Sequence, residues 1–170
     1  MKTFLKANIL SLCLFASCHE KTATPLTFPF EGKVVAINDG DTYKVLCNGN
    51  LQTIRLAHID CPERKQPFAA QAKQFAADLC FGKNVLVKTD GKRDRYKRII
   101  GEIILPDGTN VNKELVRNGF AWHYKKYSTD TAYANLEAAA HRLQVGLWAD
   151  KESIAPWEWR FKRSHHLPFQ

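Results

Sequence analysis

Alternating apolar and polar residues in the first part of the chain predict three β-strands. The segments EGKVVAIND and TYKVLCN flank the turn at residues 39–41 (DGD), which is the pattern of two strands joined by a tight turn. A second turn at residues 48–50 (NGN) leads into LQTIRLAHI, which we interpret as a third strand. The pattern therefore predicts an antiparallel meander at the start of the fold.

The spacing of apolar residues then changes to that of a helix. In PFAAQAKQFAADLCFG, the residues Phe68, Ala72, Phe75 and Leu79 recur at helical spacing, and Gly82 is suited to ending the helix. Two further strands, KNVLVKT and RIIGEIIL, lie on either side of the charged segment DGKRDRYKR. Five strands with a helix after the third predict an α+β fold, mainly a small closed β-barrel with helices.

The last third of the chain has two more segments with helical signals. Asn110 or Asn112 can cap a short helix through KELVRNG, and Thr129 or Asp130 can cap a longer one through AYANLEAAAHRLQ. We therefore expect about three helices beside the five strands. The tail PWEWRFKRSHHLPFQ has two tryptophans that we expect to pack on the domain, followed by a loose basic end.

The first seventeen residues have the composition of an export signal. MKTFLKANILSLCLFAS has two lysines, no acidic residue and an apolar run, Ile9–Ala16, that is too short to span a bilayer. Cys18 follows FAS, which resembles a bacterial lipoprotein cleavage box, and this predicts a lipid anchor at Cys18. We therefore expect an exported protein, which is secreted, periplasmic or anchored to a membrane as a lipoprotein.

These segments also predict the domain organisation. A chain of 170 residues suits a single core, so we expect one folded domain, and we expect it to be a monomer. The predicted boundaries are an export signal over 1–17, a flexible tether over 18–29, the barrel domain over 30–150 and a tryptophan-containing C-terminal extension over 151–170.

The charge of the chain indicates an acidic partner. The sequence has 25 lysines and arginines against 17 acidic residues, a net charge of +8, which falls to +6 without the export signal. A basic surface suits either nucleic acid or an anionic membrane. Charge alone therefore does not choose between these partners.

Three cysteines, Cys47, Cys61 and Cys80, lie in the predicted domain. An odd number cannot form a complete disulfide framework. They form no C-x-x-C pair, and no two histidines have zinc-ligand spacing, so the sequence gives little support to a zinc site. Because Cys61 and Cys80 flank the first predicted helix of an exported chain, we hypothesise a disulfide between them.

The segment HIDCPER combines two carboxylates, a thiol, an imidazole and a guanidinium. A cysteine nucleophile at Cys61 would need a nearby base, but His58 is three residues away and would point to the opposite face of a strand. An EF-hand that starts at residues 39–41 would need a third ligand at Tyr43 and a glutamate where Asn50 stands. Neither pattern is complete.

Asp41, Asp60 and Glu63 favour a different interpretation. Hard oxygen ligands without imidazole or thiolate suit calcium or magnesium, and a carboxylate that the metal does not use can act as a base. Arg55 and Arg98 add guanidinium groups, which hold a phosphate through two hydrogen bonds and balance charge on its oxygens. These residues together predict chemistry on a phosphate.

Four segments occur in a distinctive order and spacing: NDGDT, RLAHIDCPE, DRYKR and VNKELVRNGFAWHY. Through them the chain resembles the thermonuclease family, typified by staphylococcal nuclease, over about residues 34–148. The resemblance implies a five-stranded barrel of the oligonucleotide-binding (OB) type with added helices. It also implies a hydrolase that cleaves phosphodiester bonds of DNA and RNA with calcium (Ca²⁺) and leaves 3′-phosphate ends.

The family's functional residues have matches at individual positions of this chain. The resemblance implies calcium ligands at Asp41, Asp60 and the main-chain carbonyl of Cys61, a general base at Glu63, and phosphate-contacting arginines at Arg55 and Arg98. It implies further substrate contacts at Arg95, Tyr96, Tyr124 and Tyr127. Lys97 departs from the pattern, because the family often has glycine there, and a lysine would strain the loop if φ is positive.

Two other functions are compatible with such a fold. A nucleic-acid-binding module that has lost catalysis would usually lack the carboxylates and arginines, which are present here. A membrane-associated basic lipoprotein with a structural calcium site would leave Arg55, Glu63 and Arg98 without a function. We therefore interpret the sequence as a calcium-dependent nuclease of broad sequence tolerance.

Overall fold

The elements of the fold are known for residues 25–169, which a computed structural model describes. The predicted export signal, Cys18 with its predicted lipid anchor, and the predicted tether up to residue 24 lie outside the described residues. The strands are β1 Phe30–Asp39, β2 Thr42–Cys47, β3 Asn50–Leu56, β4 Ile59–Asp60, β5 Asn84–Lys88, β6 Ile99–Ile104 and β7 Trp122–His123. The helices are α1 Ala69–Cys80, α2 Val111–Arg117, α3 Thr131–Arg142 and α4 Pro156–Ser164, with a 3-10 helix over Gly146–Ala149.

Five of the strands close into a barrel in the order β1-β2-β3-β6-β5. Neighbouring strands are antiparallel except for β3 and β6, which run parallel along Ile54–Leu56 and Ile99–Gly101. Apolar side chains that alternate along the strands form the core, and Val34, Val45 and Ile103 among them are fully buried. This arrangement confirms the predicted α+β fold with a five-stranded barrel of the OB type.

The third predicted strand is interrupted near its end. We expected LQTIRLAHI to continue as one strand, but β3 ends at Leu56 and His58 has a φ of 69°. Strands do not use this left-handed conformation, so the chain bends there. β4 then pairs with β7 instead of the barrel strands, which places Asp60 opposite Trp122. Asp60 therefore lies on a small separate sheet.

The first three helices begin close to their predicted positions. The side chain of Asn110 caps α2 by accepting a hydrogen bond from the N of Lys113 at 3.1 Å, and Asp130 caps α3 through the N of Ala132 at 2.8 Å. Asn112, the other candidate cap of α2, is instead buried and bonds to main-chain atoms of the barrel. None of the helices in residues 25–169 is long and apolar enough to span a membrane.

A fourth helix, α4, forms in the tail that we expected to be loose beyond its tryptophans. Pro156 lies in the first turn of this helix, where a missing N–H costs no hydrogen bond. Trp157 stacks on Tyr124 with ring centroids 5.3 Å apart and planes 2° apart, and meets Trp122 edge-on at 5.7 Å. Trp157 therefore packs on the domain as predicted. The prediction of a loose basic end is wrong for residues 160–164, which continue the helix and include Arg160, an ion-pairing partner of Asp60.

The cysteines of the described part, Cys47, Cys61 and Cys80, are all buried and free, so the hypothesised Cys61–Cys80 disulfide is wrong here. The Sγ atom of Cys80 instead lies 3.2 Å from the carbonyl oxygen of Ala76 within α1. Burial raises the pKa of the Cys80 thiol to about 12, and it raises the pKa of the Cys61 thiol well above its usual value. A thiol that stays protonated is a poor nucleophile, which also disfavours nucleophilic catalysis by Cys61.

Candidate active site

The turn between β1 and β2 places Asp41 against the loop that follows β4. The side chain of Asp39 accepts a hydrogen bond from the N of Asp41 at 3.1 Å, which shapes the turn. The carboxylate of Asp41 accepts another from the N of Cys61 at 2.8 Å. Gly40 permits this approach, because a β-carbon there would lie 2.8 Å from both Cβ and Sγ of Cys61. The DGD turn is therefore needed for packing as well as for its carboxylates.

Arg55 on β3 joins the two aspartates that the sequence analysis assigned to the metal. Its Nη2 atom is 2.7 Å from Oδ1 of Asp60 and 3.3 Å from Oδ2 of Asp41. Its Nη1 atom donates to the carbonyl oxygens of Leu56 and Ile59 at 2.7 and 2.9 Å, on either side of the bend between β3 and β4. The three charged side chains are largely buried, and buried charges are tolerated when they are paired and hydrogen-bonded in this way.

The carboxylates of this region are crowded and buried, which favours their neutral forms. Burial, together with the charge of Asp41, raises the pKa of Asp39 to about 6. Burial also raises the pKa of Asp60, although a hydrogen bond from Arg160 lowers it. Burial acts against the charged form of Arg55, but Asp41 and Asp60 outweigh it and raise the pKa of Arg55. Such a group of carboxylates favours a cation beside it.

Glu63 is connected to Asp60 by an arginine that the sequence analysis missed. Arg160 of α4 donates from Nη1 to Oε1 of Glu63 at 2.6 Å and from Nη2 to Oδ2 of Asp60 at 2.7 Å. Its Nη2 atom also lies 3.5 Å from the hydroxyl oxygen of Tyr124. The sequence offers one clue to Arg160: it follows Trp157 by three residues, so on a helix the two side chains would share a face.

Arg98, in the segment before β6, is linked to Asp41 through the side chain of Thr42. Its Nε and Nη2 atoms lie 2.8 and 2.7 Å from Oδ2 of Asp94, and its Nη1 atom donates to Oγ1 of Thr42 at 3.0 Å. The Thr42 hydroxyl in turn donates to Oδ1 of Asp41 at 3.3 Å. Lys97 has a φ of 63°, so a lysine occupies the left-handed conformation that glycine adopts more easily.

Exposed aromatic rings adjoin these groups in two places. Tyr96 is 64% exposed, and the guanidinium groups of Arg95 and Arg98 lie 4.7 and 5.3 Å from the centroid of its ring. Tyr127 is 70% exposed, and its ring centroid is 4.8 Å from that of Tyr124. Exposed rings beside positive charge suit the stacking of bases and the binding of phosphates.

A single network of hydrogen bonds and ion pairs, the carboxylate–arginine network, brings the predicted catalytic and metal-binding residues together. It runs in the order Arg98, Thr42, Asp41, Arg55, Asp60, Arg160 and Glu63, with Cys61 joined at Asp41. The predicted substrate contacts adjoin it, Arg95 and Tyr96 at Arg98, and Tyr124 and Tyr127 at Arg160. Thr42 and Arg160 are the members that the sequence analysis did not find.

The donors of this network fit a calcium ion in chemical type. Within residues 25–169 no group of three His, Cys, Asp or Glu side chains is placed to hold a metal ion. The predicted ligands are instead two carboxylates, Asp41 and Asp60, and one main-chain carbonyl, that of Cys61. Calcium takes oxygen ligands of these kinds and accepts water for the rest.

A separate cleft of about 210 Å³ lies between the loop after β4 and the segment before α4. Its walls include Pro62, Gln66, Phe68 and Trp159, and none of the ten residues predicted from the sequence. We therefore place the candidate chemistry at the carboxylate–arginine network and not in this cleft.

The fold and the network define a class of protein, an OB-type barrel with carboxylates and arginines gathered beside exposed aromatic rings. Comparison with known proteins narrows this class to one family. Residues 53–150 match the family model of the staphylococcal nuclease homologues. The chain belongs to the staphylococcal nuclease family, which confirms the resemblance found in the sequence.

Individual relatives agree with this assignment. The chain is 42% identical over 132 residues to an uncharacterized endonuclease of Escherichia coli, and the match covers 78% of this chain and 86% of the relative. It is 36% identical over 169 residues to an uncharacterized endonuclease of Haemophilus influenzae, covering 99% and 90%. It is 40% identical over 148 residues to a micrococcal nuclease of Shigella flexneri, covering 81% and 84%.

Proposed function

We propose that this protein is a calcium-dependent nuclease that hydrolyses the phosphodiester bonds of DNA and RNA with little sequence specificity. Membership of the staphylococcal nuclease family makes the chain a nuclease, a hydrolase that acts on nucleic acids. The observation that carries the finer proposal is the carboxylate–arginine network, which gathers the candidate metal, base and phosphate groups from distant parts of the sequence.

Substrate binding is assigned to the basic and aromatic groups around the network. The net positive charge of the protein attracts the nucleic acid, and Arg95 supplies a cation for a phosphate. The exposed rings of Tyr96 and Tyr127, with Tyr124 beside the latter, supply surfaces on which bases stack. Because stacking tolerates every base, this mode of binding explains why the nuclease would have little sequence specificity.

Asp41, Asp60 and the carbonyl oxygen of Cys61 would hold the calcium ion. When bound, calcium supplies positive charge beside a non-bridging oxygen of the phosphate that is attacked. Arg55 contacts both Asp41 and Asp60, and so holds the two carboxylates close to each other. Cys61 contributes only its main chain, which agrees with its buried thiol.

Glu63 is assigned to the base, and Arg55 and Arg98 to the phosphate. Glu63 takes a proton from water as the water oxygen forms its bond to phosphorus, and the bond from phosphorus to the 5′ oxygen breaks. The departing 5′ oxygen takes up a proton from solvent water, and the phosphate stays on the 3′ end of the other fragment. Arg55 and Arg98 offset the negative charge that grows on the phosphoryl oxygens during this step.

The proposal predicts calcium-dependent cleavage of single-stranded DNA. The purified protein is incubated with a labelled oligonucleotide at several alkaline pH values, with calcium or with a calcium chelator, and the products are separated by length. We expect cleavage with calcium and none with the chelator. DNA that is bound but never cleaved, with or without calcium, would contradict the proposal and favour a binding module on the same fold.

A further inference from the structure

We infer that Arg160 is a positioning residue of the active site, which fixes the carboxylate of Glu63 beside Asp60 and makes α4 a part of the catalytic unit. The inference rests on the proposed role of Glu63 as the base. It adds a residue from the C-terminal helix, outside residues 53–150 that match the family model.

The contacts of Glu63 carry this inference. Among the described residues, Arg160 is the one hydrogen-bonding or ion-pairing partner of the Glu63 carboxylate, through Nη1 and Oε1 at 2.6 Å. The Glu63 side chain is 35% exposed, so without this partner it would be free to change rotamer. The carboxylate of Asp60 depends less on Arg160, because its side chain is 3% exposed and is also held by Arg55.

The same guanidinium is bound to both carboxylates, which sets their relative position. Nη2 of Arg160 lies 2.7 Å from Oδ2 of Asp60 while Nη1 is bonded to Glu63. The planar, rigid fork of an arginine keeps two such acceptors at a fixed separation. The second carboxylate oxygen of Glu63, Oε2, has no partner among residues 25–169 and can face a water.

The position of α4 is itself fixed by the loop that carries Glu63. Gln66 accepts a hydrogen bond at Oε1 from the N of Glu63 at 2.9 Å, and donates from Nε2 to the carbonyl oxygen of Ile154 at 2.6 Å. One side chain therefore links the Glu63 loop to the segment just before α4. Trp157, one helical turn before Arg160, stacks on Tyr124 and anchors the same face of the helix.

The first test compares turnover of Arg160→Ala and Arg160→Lys with wild type at saturating calcium, using a labelled oligonucleotide. We expect Arg160→Ala to lower kcat by roughly tenfold to a hundredfold with KM within a few-fold, because misplaced groups slow chemistry more than binding. Arg160→Lys keeps the charge without the fork and should recover only part of this loss. Arg163→Ala is the matched control, an exposed arginine of α4 that should keep wild-type kcat.

A double-mutant cycle then asks whether Arg160 acts through Glu63. Glu63→Gln alone should lower kcat on the order of a hundredfold or more, since it removes the base. In that background, Arg160→Ala should cost at most a few-fold more, because the group that it positions is already disabled. If the two losses multiply instead, Arg160 acts independently of Glu63 and the inference is wrong.

Other outcomes separate this inference from the proposed function. If Glu63→Gln leaves kcat unchanged, the assignment of the base in the proposed function fails. If Glu63→Gln slows the enzyme but both Arg160 variants keep wild-type kcat, only the positioning role fails. Circular dichroism checks the fold of every variant, and Arg160→Lys carries the test if Arg160→Ala does not fold.

Calcium binding without substrate tests the opposite role, in which Arg160 obstructs the metal. Titration calorimetry on wild type and Arg160→Ala measures calcium affinity directly, independently of activity. If Arg160 is a positioning residue, Arg160→Ala should bind calcium with an affinity within a few-fold of wild type, or more weakly. Calcium binding that tightens by about tenfold or more, about 1.4 kcal/mol, would overturn the inference, because Arg160 would then be an inhibitory contact.

Discussion

Arg98 occupies a position where a lysine could keep the charge but not the contacts. Its guanidinium pairs with Asp94 and also donates to Thr42, which needs a group with several N–H donors in one plane. Arg98→Lys should lower turnover on the order of a hundredfold, the size of effect seen when one preorganised donor is removed. Steady-state cleavage of a short labelled oligonucleotide at saturating calcium measures it.

The control for this variant is Arg93→Lys, a change of the same kind in the same segment. Arg93 is exposed and donates to the carbonyl oxygen of Lys97. The Arg93→Lys variant should therefore have a turnover close to that of wild type. If Arg98→Lys is folded by circular dichroism and turns over within a few-fold of wild type, then Arg98 is not a phosphate contact.

Individual site residues differ in how far the sequence could predict them. Asp41 and Asp60 stand in short segments of unusual composition, and the structure brings both to Arg55. Arg160 could not be predicted in the same way, because it lies 100 residues from Asp60 in the sequence and one arginine in a basic tail looks like any other. Thr42 was missed for a similar reason, since its hydroxyl matters only through the Arg98 that reaches it.

The chain after α2 packs directly against the chain after α3. Gly119 and Gly146 face each other there with φ values of 68° and 58°. A β-carbon on Gly119 would overlap the carbonyl oxygen of Val145, which is main chain and cannot move aside easily. The contact of these two segments therefore requires glycine.

This contact predicts that Gly119→Ala destabilises the fold by roughly 3 kcal/mol, because strain of the positive φ adds to a main-chain clash. Gly108→Ala is the matched control, since Gly108 has a φ of 85° but open space around its Cα. It should cost about 1 kcal/mol from the φ alone. Chemical denaturation gives both values, and equal losses for the two variants would show that the packing of Gly119 does not matter.

The elements that were predicted best are those whose apolar residues recur at a regular spacing in the sequence. The barrel strands and α1 to α3 followed from alternation, helical spacing and caps. The end of the third strand did not, because the bend at His58 depends on the pairing of β4 with β7 far along the chain. The helix α4 was not predicted either. It is held on the domain by aromatic contacts and by the ion pairs of Arg160, and not by the apolar stripe that usually reveals a helix in a sequence.

For the whole molecule, the fold explains why one site can be built from four distant segments. Four segments meet in the carboxylate–arginine network: residues 39–42, residues 55–63, residues 94–98 and Arg160 of α4. The order of motifs in the sequence predicted the family and the ten candidate residues. It could not predict that the C-terminal extension would join them, because this depends on tertiary contacts between segments about a hundred residues apart.

The proposed hydrolysis needs a calcium ion held by Asp41 and Asp60, and the variant Asp41→Asn tests this need for calcium. The variant keeps the shape of the side chain and an oxygen that can accept from Cys61, but loses the charge that attracts calcium. Asp107→Asn, a fully exposed aspartate on a turn away from the network, is the control.

The measurement is the rate of oligonucleotide cleavage as a function of calcium concentration for wild type and both variants. We expect the calcium concentration that gives half-maximal rate to rise by about tenfold or more for Asp41→Asn, and to stay unchanged for Asp107→Asn. A folded Asp41→Asn enzyme with the calcium dependence of wild type would contradict the assignment of the metal to this site.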